Sequence, residues 1–141
     1  MRLASPMGNG PQRVNGKYTS SKKSAVFESK QLSKSEIISG NFRGTLGPGL
    51  SHTLVLILDI RLNRESEISI PVTDGWNVFS FVYEGDALTH SKGQLAVYEK
   101  AGDIHFKTNK SKAGIYFAAG EPLNESIARG GPFVMNTRGE I

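Results

Sequence analysis

Residues 54–62 read "LVLILDIRL". Leu54, Leu56, Leu58, Ile60 and Leu62 share one phase of a two-residue period, and Val55 and Ile57 cover the other phase only at its start. That period belongs to an extended strand, whose successive side chains point to opposite faces. The same texture recurs along the chain. "SAVFES", "SEIISGNFRG", "SEISIPV", "VFSFVYEGDALTH", "QLAVYEK", "GDIHFKT" and "AGIYFAAGEPL" are short β-prone runs, separated by turn signals such as "TLGPGLSH" and "TDGWN". Within "VFSFVYEGDALTH", Glu84-Gly85-Asp86 marks a hairpin. Turn signals return every eight to twelve residues, and no segment holds a sustained 3.6-residue apolar stripe. About eight to ten strands in a sandwich or barrel satisfy this pattern. The fold class is all-β.

At 141 residues the chain has one domain's worth of core to bury. Its longest apolar run is far short of the roughly 18 to 20 residues that span a bilayer, so no membrane partner is expected. Arg2 is followed by no apolar segment of the secretory kind. There is no cysteine, which removes disulfides, thiolate nucleophiles and Cys-ligated metals and fits a cytoplasmic protein.

The formal net charge of +4 invites a nucleic-acid reading, but its placement argues against one. Residues 1–23 carry Arg2, Arg13, Lys17, Lys22 and Lys23 with no acid, a charge of +5. The remainder has 12 basic and 13 acidic residues, a net of −1. A nucleic-acid-binding fold needs a basic face of its own. Residues 1–23 thus read as a disordered basic leader, and residues 24–141 as the folded domain.

The most specific stretch is "FAAGEPLNESIARGGPFVMNTRGEI" at residues 117–141. Gly120, Pro122, Leu123, Asn124, Glu125 and Ile127 are followed by Gly131, Pro132, Phe133, Val134, Met135, Asn136 and Thr137, then Glu140 and Ile141. This run closely resembles the signature of the pirin family's C-terminal cupin domain. Weaker similarity runs from about Ser35 to Ile141, roughly three quarters of the chain. The resemblance implies a single cupin-type double-stranded β-helix, a jelly-roll barrel with short helices or none.

It further implies a family of two stacked cupins, of which the N-terminal one binds a metal, usually iron, through three histidines and a glutamate. Members have been associated with flavonol (quercetin) dioxygenase activity, others with transcriptional co-regulation or metabolic-enzyme partners. Two departures stand out: 34 largely polar residues precede Ser35 where the family has its other cupin, and the chain stops where members continue into a helical tail. The signature stretch is expected to act as a structural strap across the barrel. Phe133 and Met135 would dock in an apolar groove, and Asn124 and Asn136 would bond unpaired backbone.

The chain was also weighed for chemistry. A cupin metal site opens with two histidines two residues apart, both pointing into the barrel. Ile68, Ile70 and Val72 stand where that pair belongs. The histidines are His52, His90 and His105, with no H-x-H. His105, alternating with Ile104 and Phe106, is the best residual metal candidate, with His90 and a carboxylate such as Glu84 or Asp103 as partners; a surface or half-buried histidine is the plainer reading. "GNFRGTLGPG" lacks the Lys-Ser/Thr of a phosphate loop. Trp76, after Asp74-Gly75, either caps the barrel mouth or anchors a partner. The sequence therefore favours a cupin without cofactor, acting as a structural or protein-interaction module, as a homodimer or on another protein domain. The alternatives are a pirin-type iron-dependent quercetin 2,3-dioxygenase and a small-ligand cupin using the barrel interior. Trp76 and the strap are the expected dimer contacts.

Overall fold

The computed structural model describes residues 25–29, 33–99 and 102–141; the basic leader lies outside them. The chain divides into two compact units, Ser24–Pro122 and a second to which Leu123–Ile141 belongs.

The larger unit is built on an antiparallel six-stranded sheet. Its strands are β1 (Ala25–Ser29), β2 (Ser33–Ser39), β5 (Val55–Leu62), β7 (Asn77–Gly85), β8 (Leu95–Tyr98) and β10 (Ala113–Gly120). They lie in the order β1-β2-β5-β10-β7-β8. Two ribbons complete the unit: β3 (Asn41–Phe42) with β4 (Thr45–Leu46), and β6 (Glu67–Ile70) with β9 (Ile104–Lys107). Four of the pairings, β2–β5, β5–β10, β10–β7 and β6–β9, join strands that are not neighbours in sequence, as a jelly roll requires.

Alternation decides what is buried. Leu56, Leu58, Ile60 and Leu62 of β5 are all 6% exposed or less. Val78, Ser80 and Val82 of β7, and Ile115, Phe117 and Ala119 of β10, share that inner face. The opposing wall is Ile68 and Ile70 of β6 with Ile104 and Phe106 of β9, and Phe42 joins them in one core. Phe106 meets Phe117 edge-on, with ring centroids 6.2 Å apart, the geometry that aromatic quadrupoles favour. These side chains pack together as the core between the two walls. Leu54 stands just outside β5 and is exposed.

The hairpin falls later than Glu84-Gly85-Asp86. β7 runs through Gly85, an Asp86–Ser91 bridge follows, and β8 begins only at Leu95. The β7–β10 pairing carries a bulge. Gly114 pairs with Glu84 and Ile115 with Val82, leaving Tyr83 unpaired on β7. The surplus residue turns the Tyr83 ring over Gly114, where any Cβ would sit 2.4 Å from it.

In the second unit, β11 (Ala128–Gly130) and β12 (Phe133–Met135) form a short antiparallel hairpin. Arg138–Glu140 make one turn of 3-10 helix. The Glu140 carboxylate accepts from the backbone N–H groups of Asn136 and Thr137 and from the Thr137 hydroxyl. Asn136 does not bond backbone through its side chain; its amide donates to the Glu125 carboxylate. Asn124 takes a left-handed φ of 54°, a conformation asparagine tolerates better than most residues. Phe133 is 54% exposed.

Candidate functional site

Three places in the larger unit gather groups that chemistry or binding could use. The first is a polar spot in the core. Ser80 occupies an inward position of β7 and is fully buried. The loop after β7 folds back so that Ala87 N–H donates to the His90 carbonyl, which brings the imidazole under the sheet. His90 Nε2 lies 3.1 Å from Ser80 Oγ, and Nδ1 lies 2.8 Å from Thr89 Oγ1. Ser80 Oγ also lies 2.9 Å from the Tyr98 hydroxyl. Hydroxyls both donate and accept, so either tautomer of a neutral imidazole is satisfied.

Burial pushes the His90 pKa down from its ordinary 6.5, opposed in part by the Asp86 charge. A lowered folded pKa means that the unfolded chain takes the proton first. His90 therefore contributes stability that is complete above 6.5 and is lost as pH falls through its lower folded value. Urea midpoints measured from pH 8 to pH 5 should fall below that point, and His90→Gln should flatten the decline.

His105 does not face the barrel. β9 buries Ile104 and Phe106, which puts His105 and Lys107 on the exposed phase. It pairs with Ser69, while Ile68 pairs with Phe106 and Ile70 with Ile104. The inward positions of this ribbon are hydrocarbon, and both ring nitrogens of His90 are held by neutral hydroxyls. Among the described residues no three His, Cys, Asp or Glu side chains are grouped to hold a metal ion. The iron that the family implies does not fit this donor set.

The second place is a cleft at one end of the barrel, of about 570 Å³. Its walls include Leu46, Leu50, Leu54, Val72 and Trp76, with Ala119 at the end of β10. Trp76 and Val72 are half-buried and pack on the core, so Trp76 closes the mouth from one side. The turn bearing Leu46 and Leu50 is held by Gly47 N–H to the Gly40 carbonyl and Gly49 N–H to the Ile38 carbonyl, each 2.8 Å. Ser39 Oγ donates to the Gly49 carbonyl. Among the described residues no charged side chain lines the cleft. It suits uncharged, carbon-rich groups.

A third cluster lies on the outer sheet face. The Tyr83 hydroxyl donates to Asp59, and Arg61 stands 3.5 Å from the same carboxylate. The phenol is pushed up to about 12, first by burial and then by its bond to Asp59. Sequence reasoning passed over Ser80 and Tyr83. A serine on the apolar phase of "VFSFV" was the available signal for the first; the bulge that aims the second left none.

Comparison with known proteins bears on this fold. Residues 57–141 match the family model of the pirin C-terminal cupin domain. A pirin-like protein of Arabidopsis thaliana is 33% identical over 82% of this chain and 44% of its own length. Mouse pirin is 32% identical over 74% of this chain and 39% of its own. The chain thus spans about two fifths of these relatives. Among solved structures, a quercetin 2,3-dioxygenase from Acinetobacter baumannii superposes with a TM-score of 0.69 at 21% identity, over 82% of this chain and 42% of that one. Strand order, filled core and the matched signature agree, and the chain belongs to the pirin family through its C-terminal cupin domain.

Proposed function

We propose that this chain is a metal-free cupin that works by holding another protein rather than by turning over a substrate. The observation that supports this reading most is the inner face of the β6–β9 ribbon. Ile68, Ile70, Ile104 and Phe106 fill the positions from which a cupin would present imidazoles. Self-association, or docking on another domain, is the mode of action we favour. A cytoplasmic setting belongs to the same proposal, in keeping with a sequence free of cysteine. Among the described residues no helix is long and apolar enough to cross a membrane.

The mouth cleft supports a second reading, a site for a small uncharged ligand. Iron-dependent dioxygenation of a flavonol is the weaker alternative, since the described residues offer no ligand set for the metal.

Metal analysis decides between binding and oxidation. After incubation with ferrous iron and gel filtration, the protein should retain under about 0.1 equivalent of metal. It should also leave a flavonol's absorbance unchanged in air. Retention of about one equivalent, lost in His90→Ala, would overturn the reading. In the same samples Trp76, the single tryptophan, reports the cleft: an uncharged apolar probe bound there should shift its emission.

A further inference from the structure

Antiparallel sheets with one solvated face alternate apolar-in and polar-out. β7 breaks that rule. Val78, Ser80 and Val82 point into the core, yet the outward positions are Phe79 and Phe81 rather than polar residues. The neighbouring strands extend the exception. The register sets Val97, Phe79, Ala118 and Ile57 in one row across β8, β7, β10 and β5. Leu95, Phe81, Tyr116 and Asp59 form the next row. Only the last of these eight positions bears a charge. Phe79 and Tyr116 lie 6.2 Å apart, joining the rows.

This face is open. Phe79 is 40% exposed, Phe81 37%, Leu95 59% and Val97 71%. These four residues together present on the order of 400 Å², the size of the largest apolar patch on a typical monomer, which is often a functional surface. With the half-buried Tyr116, Ala118 and Ile57 beside them, the face offers on the order of 500 Å², so that two copies together would bury about the 1,000 Å² that a specific interface needs.

We propose that the outer face of β8-β7-β10-β5 packs on the same face of a second copy of this chain. A two-fold contact brings each patch against itself, so it requires a surface that does not repel its own copy. The two rows meet that condition, because their charge is confined to one corner. There Asp59 is paired with Arg61 at 3.5 Å, so acid and base arrive together. Two twisted sheets stack at about 10 Å with interdigitating side chains, which the alternating large and small residues of the rows allow. The leader could not serve instead: residues 1–23 carry five bases and no apolar period to match the rows. The contact uses other residues than Trp76 and the Gly131–Thr137 stretch that the sequence suggested. The proposal rests on the protein-binding reading, and metal analysis tests that reading separately.

Sedimentation of the full chain at tens of micromolar should give twice the 15.3 kDa chain mass. Val97→Lys and Phe79→Lys should each raise the dimer Kd at least tenfold. Val97 is the more exposed, so Val97→Lys should keep the circular dichroism and melting temperature of the parent even if Phe79→Lys fails to fold. Leu50→Lys at the cleft rim and Phe133→Lys should leave the dimer intact. A wild-type monomer would overturn the proposal. So would a dimer that survives Val97→Lys, or one that dissociates in Leu50→Lys or Phe133→Lys instead. If sedimentation fails while iron is still refused, the metal-free reading stands and only the interface is lost.

Discussion

Phe117→Ala should lower the unfolding free energy by about 3–5 kcal/mol, read as a shift of the urea midpoint at unchanged slope. Phe117 has no exposed surface and sits on β10, which is flanked by β5 and β7. Its register partners are Leu58 and Ser80, and its ring contacts Phe106 edge-on across the core. Truncation removes the hydrophobic transfer energy of the ring. It also leaves a cavity that two hydrogen-bonded strands cannot close without breaking register. Phe117→Leu keeps most of the volume and should cost under about half as much. A Phe117→Ala loss below about 1 kcal/mol would mean that the two walls are not packed against each other there.

Gly85→Ala should cost about 2–4 kcal/mol, from two separable causes. Gly85 has a φ of 72°, where an L-residue's Cβ crowds the following carbonyl. An added Cβ would also fall 1.7 Å from the Lys112 carbonyl oxygen, closer than atoms can approach, so the β7–β10 junction must open. Gly93 separates these causes. Its φ of 86° carries the same conformational penalty, but nothing lies within 4 Å of its Cβ position. Gly93→Ala should therefore cost only about 1–2 kcal/mol. Equal losses in the two variants would show that the Lys112 contact yields freely.

The alternation in β5, β6 and β9 was legible because burial on one face enforces a two-residue period, and those inward residues are the core. The pirin signature was legible because it is a contiguous run. Position within the barrel was harder. His105 alternates with Ile104 and Phe106, and alternation alone does not say which phase is inward. The answer comes from Phe106 meeting Phe117. His90 was equally obscure, since it reaches Ser80 through a loop, and loop geometry is set by backbone hydrogen bonds rather than by composition. The bulge in β7 was hidden as well, since one surplus residue creates it without any marker of its own. Phe79 and Phe81 were visible as apolar letters, but a run apolar on both phases does not reveal what covers its outer side.

The bulge at Tyr83 also gives the strand a parity. Counting outward from the Gly85 turn, every residue of β7 before Tyr83 lies on the face opposite to the one that an unbroken ladder would assign. Remove or insert one residue between Phe81 and Tyr83 with the bulge kept, and the two faces exchange. Ser80 would leave His90 for solvent at the same stroke that carried Phe79 and Phe81 inward. The buried imidazole's partner and the apolar outer face are therefore inherited together. Outside the bulge, which itself takes up one surplus residue, changes of length in this strand keep its faces only in pairs.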